Sequence, residues 1–140
     1  MPVPRTVEAR RYYRVALQRL EDAQLLLERL GRPAAAIYLA GYAVECILKA
    51  LILTSTPENR HRDMLNEEFR GGRAHNLVWL RERLRETGAA GFPLNIGHDL
   101  TFVSTWSVDL RYTPGIGDAD DAKEFIAAVE RIIDFANGRF

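Results

Sequence analysis

The sequence is poor in the residues that staple, anchor or steer a chain. One cysteine, Cys46, stands among 140 residues, which excludes an intrachain disulfide and a cysteine metal cluster. Lysine is scarce, two residues against seventeen arginines, and the formal net charge is zero. Without a global field, bulk electrostatics cannot draw in nucleic acid or an acidic membrane, so any such contact has to be local. The arginine excess suits planar, bidentate contacts to carboxylate or phosphate, and it equally suits a coding sequence of skewed base composition. No apolar run precedes Pro33, and the arginines at 5, 10, 11 and 14 read as neither signal peptide nor anchor, so the expected location is the cytoplasm. Internal repeats and low-complexity segments are missing too. The length predicts one domain over residues 1–140, large enough to bury a core without metal or disulfide, and no cofactor or metal is implied.

What is present is one long apolar stretch, Pro33 to Leu53, with only two charges, Glu45 and Lys49. Four residues apart with the acid N-terminal, these two share a helix face as a favourable pair. Tyr38 and Tyr42 continue that line, leaving a single polar stripe on a helix otherwise apolar all round. Such a helix belongs in a protein core or a bilayer. Each charge would cost roughly 2.5–3.5 kcal/mol in a bilayer even on lenient scales. The core is therefore the expected place, with Cys46 a small core residue.

The remaining chain predicts helices on either side. Thr6 caps a first helix running to about Leu30, with Val7, Tyr13, Ala16, Leu17, Leu20, Leu27 and Leu30 at helical spacing. Gly31 ends it, and Pro33 opens the next, making a hairpin. After Leu53 the sequence turns polar, with Pro57 and Gly71-Gly72, and a short helix is expected over Asp63–Phe69. Asn76 caps a third long helix with Leu77, Leu80 and Leu84 inward, closed by Gly88. A further helix follows from about Leu94 to Ser107 on Leu100, Val103, Trp106 and Leu110; strand propensity in TFVSTW competes, but a solitary strand would have no partner. Asp118 begins a last helix with Ala122, Phe125, Ile126, Val129, Ile133 and Ala136 buried, ended by Gly138. The expected fold class is all-α, an antiparallel up-and-down bundle of four long helices plus a short extra helix.

The run AIYLAGYAVECILKALI, then AHNL opening the third long helix, then a tryptophan followed by LRY before a last amphipathic helix, resembles the HEPN domain over nearly the whole chain. The resemblance implies an HEPN-like helical bundle that commonly pairs as a homodimer. It also implies relatives of two kinds: metal-independent ribonucleases, often toxins of toxin–antitoxin or phage-defence systems, and noncatalytic partners of small nucleotidyltransferases. The ribonuclease members share an arginine followed a few residues later by a histidine near the start of the last long helix. Here Arg111 stands in that region, but YTPGIGDADD follows it without a histidine. The nearest formal match, Arg70 with His75 in RGGRAH, precedes the third helix and is a spacing that chance supplies.

The candidate site joins Glu45, Lys49, His75, Arg111 and Tyr112. Glu45 and Lys49 either hold neighbouring helices in register or line a polar cleft in which Lys49 meets a phosphate that Glu45 helps orient. His75, at a helix N-terminus, either bonds Glu45 or acts as acid or base. Arg111 and Tyr112 either pin a loop or clamp a phosphate and stack on a base. His61 and His98 fall in polar segments expected to be solvated and carry no assigned role. Three function classes follow: a binder of a nucleotide or RNA phosphate, partnered by a nucleotidyltransferase; a metal-independent endoribonuclease using His75 and Arg111; and a plain homodimeric assembly module.

Overall fold

The computed structural model describes residues 3–110 and 117–140, and of 106–110 the backbone only. Every regular element among the described residues is helical. Helix α1, Val7–Glu28, starts at Thr6, whose hydroxyl accepts the Ala9 amide at 3.3 Å. Its buried face is Ala9, Tyr13, Ala16 and Ala23. Small residues along this line let the next helix approach closely. The leucines expected to share that face do not all do so: Val7, Leu17 and Leu30 face solvent. Val7 is the first helical residue, Leu17 sits one position round from the Ala16 stripe, and Leu30 lies past the helix end. Gly31, at φ +59°, supplies the left-handed turn, and the Arg32 amide reaches back to the Leu26 carbonyl at 2.9 Å.

Helix α2, Pro33–Thr54, is the axis of the molecule, and every residue from Ala43 to Leu53 is buried. It packs against α1 and the three later helices defined below. By length and apolarity it is the one described helix that would qualify to cross a membrane, yet 83% of its most apolar window lies inside the bundle. That burial marks it as a core helix.

Between Pro57 and Asn76 the chain makes no regular helix. A 3-10 turn at Glu58–Arg60, one α turn at His61–Asp63, a π turn at Met64–Glu68 and a second 3-10 turn at Gly72–His75 take the place of the short helix expected over Asp63–Phe69. His61 is not solvated, as its polar neighbours suggested, but 1% exposed. Its Nε2 donates to the Thr56 carbonyl at 2.9 Å, and its Nδ1 stands 3.7 Å from Glu8 of α1. The acceptor is thus local, five residues back, while Nδ1 is buried without a hydrogen bond beside an acid from α1, which the polar composition around His61 did not indicate.

Helix α3, Leu77–Glu86, is capped by the Asn76 side chain, which accepts the Trp79 amide at 3.0 Å. It buries Leu77, Leu80 and Leu84 and ends before Gly88 at φ +82°. Helix α4, Leu94–Leu110, carries the TFVSTW stretch. Thr101, Ser104 and Thr105 each donate their hydroxyl to the carbonyl four residues back, at 2.7–3.1 Å, which accommodates strand-favouring residues within the helix. Ile96, Leu100 and Val103 face the core, while the side chains of Trp106 and Leu110 lie outside the described residues. Helix α5, Ala119–Asn137, opens with a reciprocal capping box between Asp118 and Asp121, and buries all six residues its sequence placed inward. The expected count of four long helices plus a small one is thus corrected. The described residues hold five helices of ten residues or more, α3 being the shortest, and the small extra element is a series of broken turns.

Arg83 of α3 fastens this broken segment through a two-pronged bond to Glu68, at 2.7 and 3.0 Å. The guanidinium hydrogen bonds hold the Glu68 carboxyl below the usual carboxylate range. A depressed folded value stabilises the protein above the unfolded pKa and loses that contribution as pH falls through the folded one. Arg83→Met should therefore cost about 1–2 kcal/mol near neutral pH and much less in acid. Urea melts at the two pH values check this, and an equal loss at both would sink it.

Candidate functional site

The polar stripe of α2 reaches the interior as an ion pair. Lys49 Nζ lies 3.0 Å from Glu45 Oε2, and both residues are 5% exposed. The helix spacing that brings them together is the four-residue step. Taking both charges out of water costs several kcal/mol, so the pair needs further partners. For the ammonium these are two aromatic rings, Tyr12 of α1 at 5.6 Å and Phe69 of the broken segment at 5.5 Å. The two rings meet edge to face with centroids 5.9 Å apart.

For the carboxylate the further partner is His75, whose Nδ1 is 3.2 Å from both oxygens. A carboxylate only accepts, so Nδ1 carries the proton and Nε2 of the neutral ring is left as an acceptor. The His75 side chain is 45% exposed. A buried acid therefore orients a surface imidazole, which can take a proton from a hydroxyl or, once protonated, donate to a phosphate oxygen. Lys49 stays beneath the surface, its ammonium enclosed by Glu45 and the two rings.

Two acidic hydrogens flank the pair. Burial, then the nearby Glu45 charge, pushes the Cys46 thiol up to about 11. Burial also raises Tyr12, with Cys46 and Glu45 adding to the effect. Neither group is a nucleophile near neutral pH. Of the five residues named from sequence, the structure brings together Glu45, Lys49 and His75; Arg111 and Tyr112 lie outside the described residues. Sequence reasoning missed Tyr12 and Phe69, both of which look like ordinary core aromatics in one dimension. It also missed Arg73, whose guanidinium lies 5.0 Å over the Trp79 ring and donates to the Glu67 carbonyl. Among the described residues no group of three or more His, Cys, Asp or Glu is arranged to hold a metal ion.

A family model described as the HEPN domain matches residues 9–139. The chain belongs to the HEPN domain family. No curated protein and no solved structure matches it significantly. The HEPN match takes in α1 through α5, and with them the Glu45–Lys49–His75 group.

Removing the cation alone should be costly in this HEPN domain. Lys49→Met is expected to destabilise it by about 3 kcal/mol, because Glu45 stays buried, and Glu45→Gln in the same chain should restore part of the loss. Additive losses in denaturant melts would show that the two residues are not coupled. Iodoacetamide near neutral pH should label Cys46 only once the chain is denatured; equal labelling of the native protein would contradict its burial.

Proposed function

We propose that this HEPN domain, residues 1–140 acting as one module, binds the phosphate of a nucleotide or an RNA strand at the face where His75 emerges. The observation that carries the reading is the orientation of that imidazole. Glu45 holds Nδ1, which leaves Nε2 as the acceptor of a side chain that is 45% exposed. Arg111 would supply the phosphate clamp and Tyr112 a stacking ring, as their sequence position suggests. Lys49 biases the site by charge from below. The protein would be a cytoplasmic homodimer, and the noncatalytic partner of a nucleotidyltransferase or a component of a toxin–antitoxin or defence system. The absence of a histidine after Arg111 favours the noncatalytic role.

A second reading draws on the same imidazole. An oriented Nε2 acceptor is what a general base needs to take the proton from a ribose 2′-hydroxyl as it attacks the adjacent phosphate, and Arg111 would steady the phosphate charge. That is a metal-independent endoribonuclease with a nonstandard Arg/His pair.

Fluorescence anisotropy of labelled single-stranded RNA, run in EDTA with a gel of the same samples, separates these readings. Binding that weakens steeply with salt and falls by roughly tenfold in Arg111→Ala and in His75→Ala is expected, with the RNA intact. The Arg111→Ala melt should stay within about 1 kcal/mol of the parent, while His75→Ala, which takes a partner from the buried Glu45, should lose about 1–3 kcal/mol and still fold. RNA cleavage that vanishes in either variant would establish the ribonuclease instead. A tight dimer that binds neither RNA nor nucleotide would leave only the assembly module.

A further inference from the structure

A second candidate site, whose lining does not include Glu45, Lys49 or His75, lies along α3 and its connection to α4. A cavity of about 520 Å³ opens there, with Leu84, Ala89 and Phe92 as apolar walls and Val78 at its mouth. This is the size range of pockets that take small organic ligands rather than bare ions. A narrower cavity of about 190 Å³ continues from it past Leu84 and Ala90 toward Leu51 and the end of α2. The connecting wall is fixed: Arg139 donates to the carbonyls of Ala90 and Gly91 at 3.1 and 3.0 Å, and Phe92 packs on Phe135 at 5.5 Å.

The charges on the lining do not balance. Arg85 is paired with Glu82 at 2.5 Å, whereas Arg81 has no carboxylate partner among the described residues. Its guanidinium is nevertheless held in place, with NH1 donating to the Thr101 hydroxyl at 3.1 Å and to the Gly97 carbonyl at 3.4 Å. The missing side chain of Gly97 makes room for it, since a Cβ there would stand 3.2 Å from NH2. A cation fixed by neutral acceptors, beside an apolar recess, is complementary to one negative charge on an apolar body.

We propose that this cavity binds a small monoanion with a compact apolar body, its carboxylate or sulfonate head on Arg81 and its body against Leu84, Ala89 and Phe92. The cavity shares no lining residue with the Glu45–Lys49–His75 group, and its ligand need not contain phosphate. Anilinonaphthalene sulfonate tests the charged case and N-phenylnaphthylamine, its neutral analogue, the uncharged one, both followed by fluorescence on the full chain. The sulfonate should saturate one site per chain. Arg81→Gln should weaken it by roughly tenfold while leaving the neutral probe unchanged. Ala90→Trp, a substitution at an exposed position that fills the cavity, should abolish binding of both probes, with melts close to the parent in each variant. Absence of sulfonate binding up to about millimolar probe overturns the proposal. So does an Arg81→Gln effect that is nil or equal for the two probes, or binding that survives in Ala90→Trp.

Discussion

The structure depends on keeping two opposite charges dry. Glu45 and Lys49 sit on the most buried helix of the bundle, where an unpaired charge would cost several kcal/mol, a large share of a typical domain's stability. The surrounding elements supply what water would have given. Helix α1 brings the Tyr12 ring to the ammonium, and the broken segment after α2 brings Phe69 to the same cation and His75 to the acid. Three separate parts of the chain are thereby fixed relative to one another by a single polar requirement. The irregular path from Pro57 to Asn76 fits that requirement, since one continuous helix places side chains on a single repeating line, whereas here the ring of Phe69 and the imidazole of His75 must reach the two ends of the same ion pair.

The same requirement links packing to chemistry. The carboxylate that stabilises the buried lysine also sets the tautomer of a surface histidine, so an exposed imidazole inherits its orientation from the core. In such an arrangement packed helices fix the direction of the imidazole through the buried carboxylate. The groove beside Arg81 follows a similar logic at the surface, where a guanidinium is tethered by a threonine and a helix carbonyl rather than neutralised by an acid.

Much of the fold was legible in one dimension. The Thr6 and Asn76 caps, the Gly31 turn, the inward leucines of α3 and the apolar face of α5 are local signals, and each element follows its own spacing. The Glu45–Lys49 pair was legible for the same reason, because the helical repeat alone brings the two together. What escaped was everything decided by a partner distant in sequence. His61 looked solvated because its sequence neighbours are polar, whereas the fold buries it beside Glu8 of the distant helix α1, with the Thr56 carbonyl five residues back as its acceptor. Tyr12 and Phe69 looked like filler because a cation–ring contact leaves no trace in spacing. Leu17 looked buried because it is a leucine one step from a stripe that the chain fills with alanine.

The hairpin turn at Gly31 also bears on the order of assembly. Helices α1 and α2 are neighbours in sequence joined by the four residues Arg29 to Arg32, so their interface needs almost no loop closure and belongs among the early, fast contacts of folding. The Glu45–His75 contact spans thirty residues, and the segment carrying His75 has little regular structure to propagate. The hairpin thus confronts its own ion pair before the histidine arrives. The buried acid and its imidazole therefore belong to different stages of assembly, the acid to the local hairpin and the imidazole to a contact made across a longer stretch of chain.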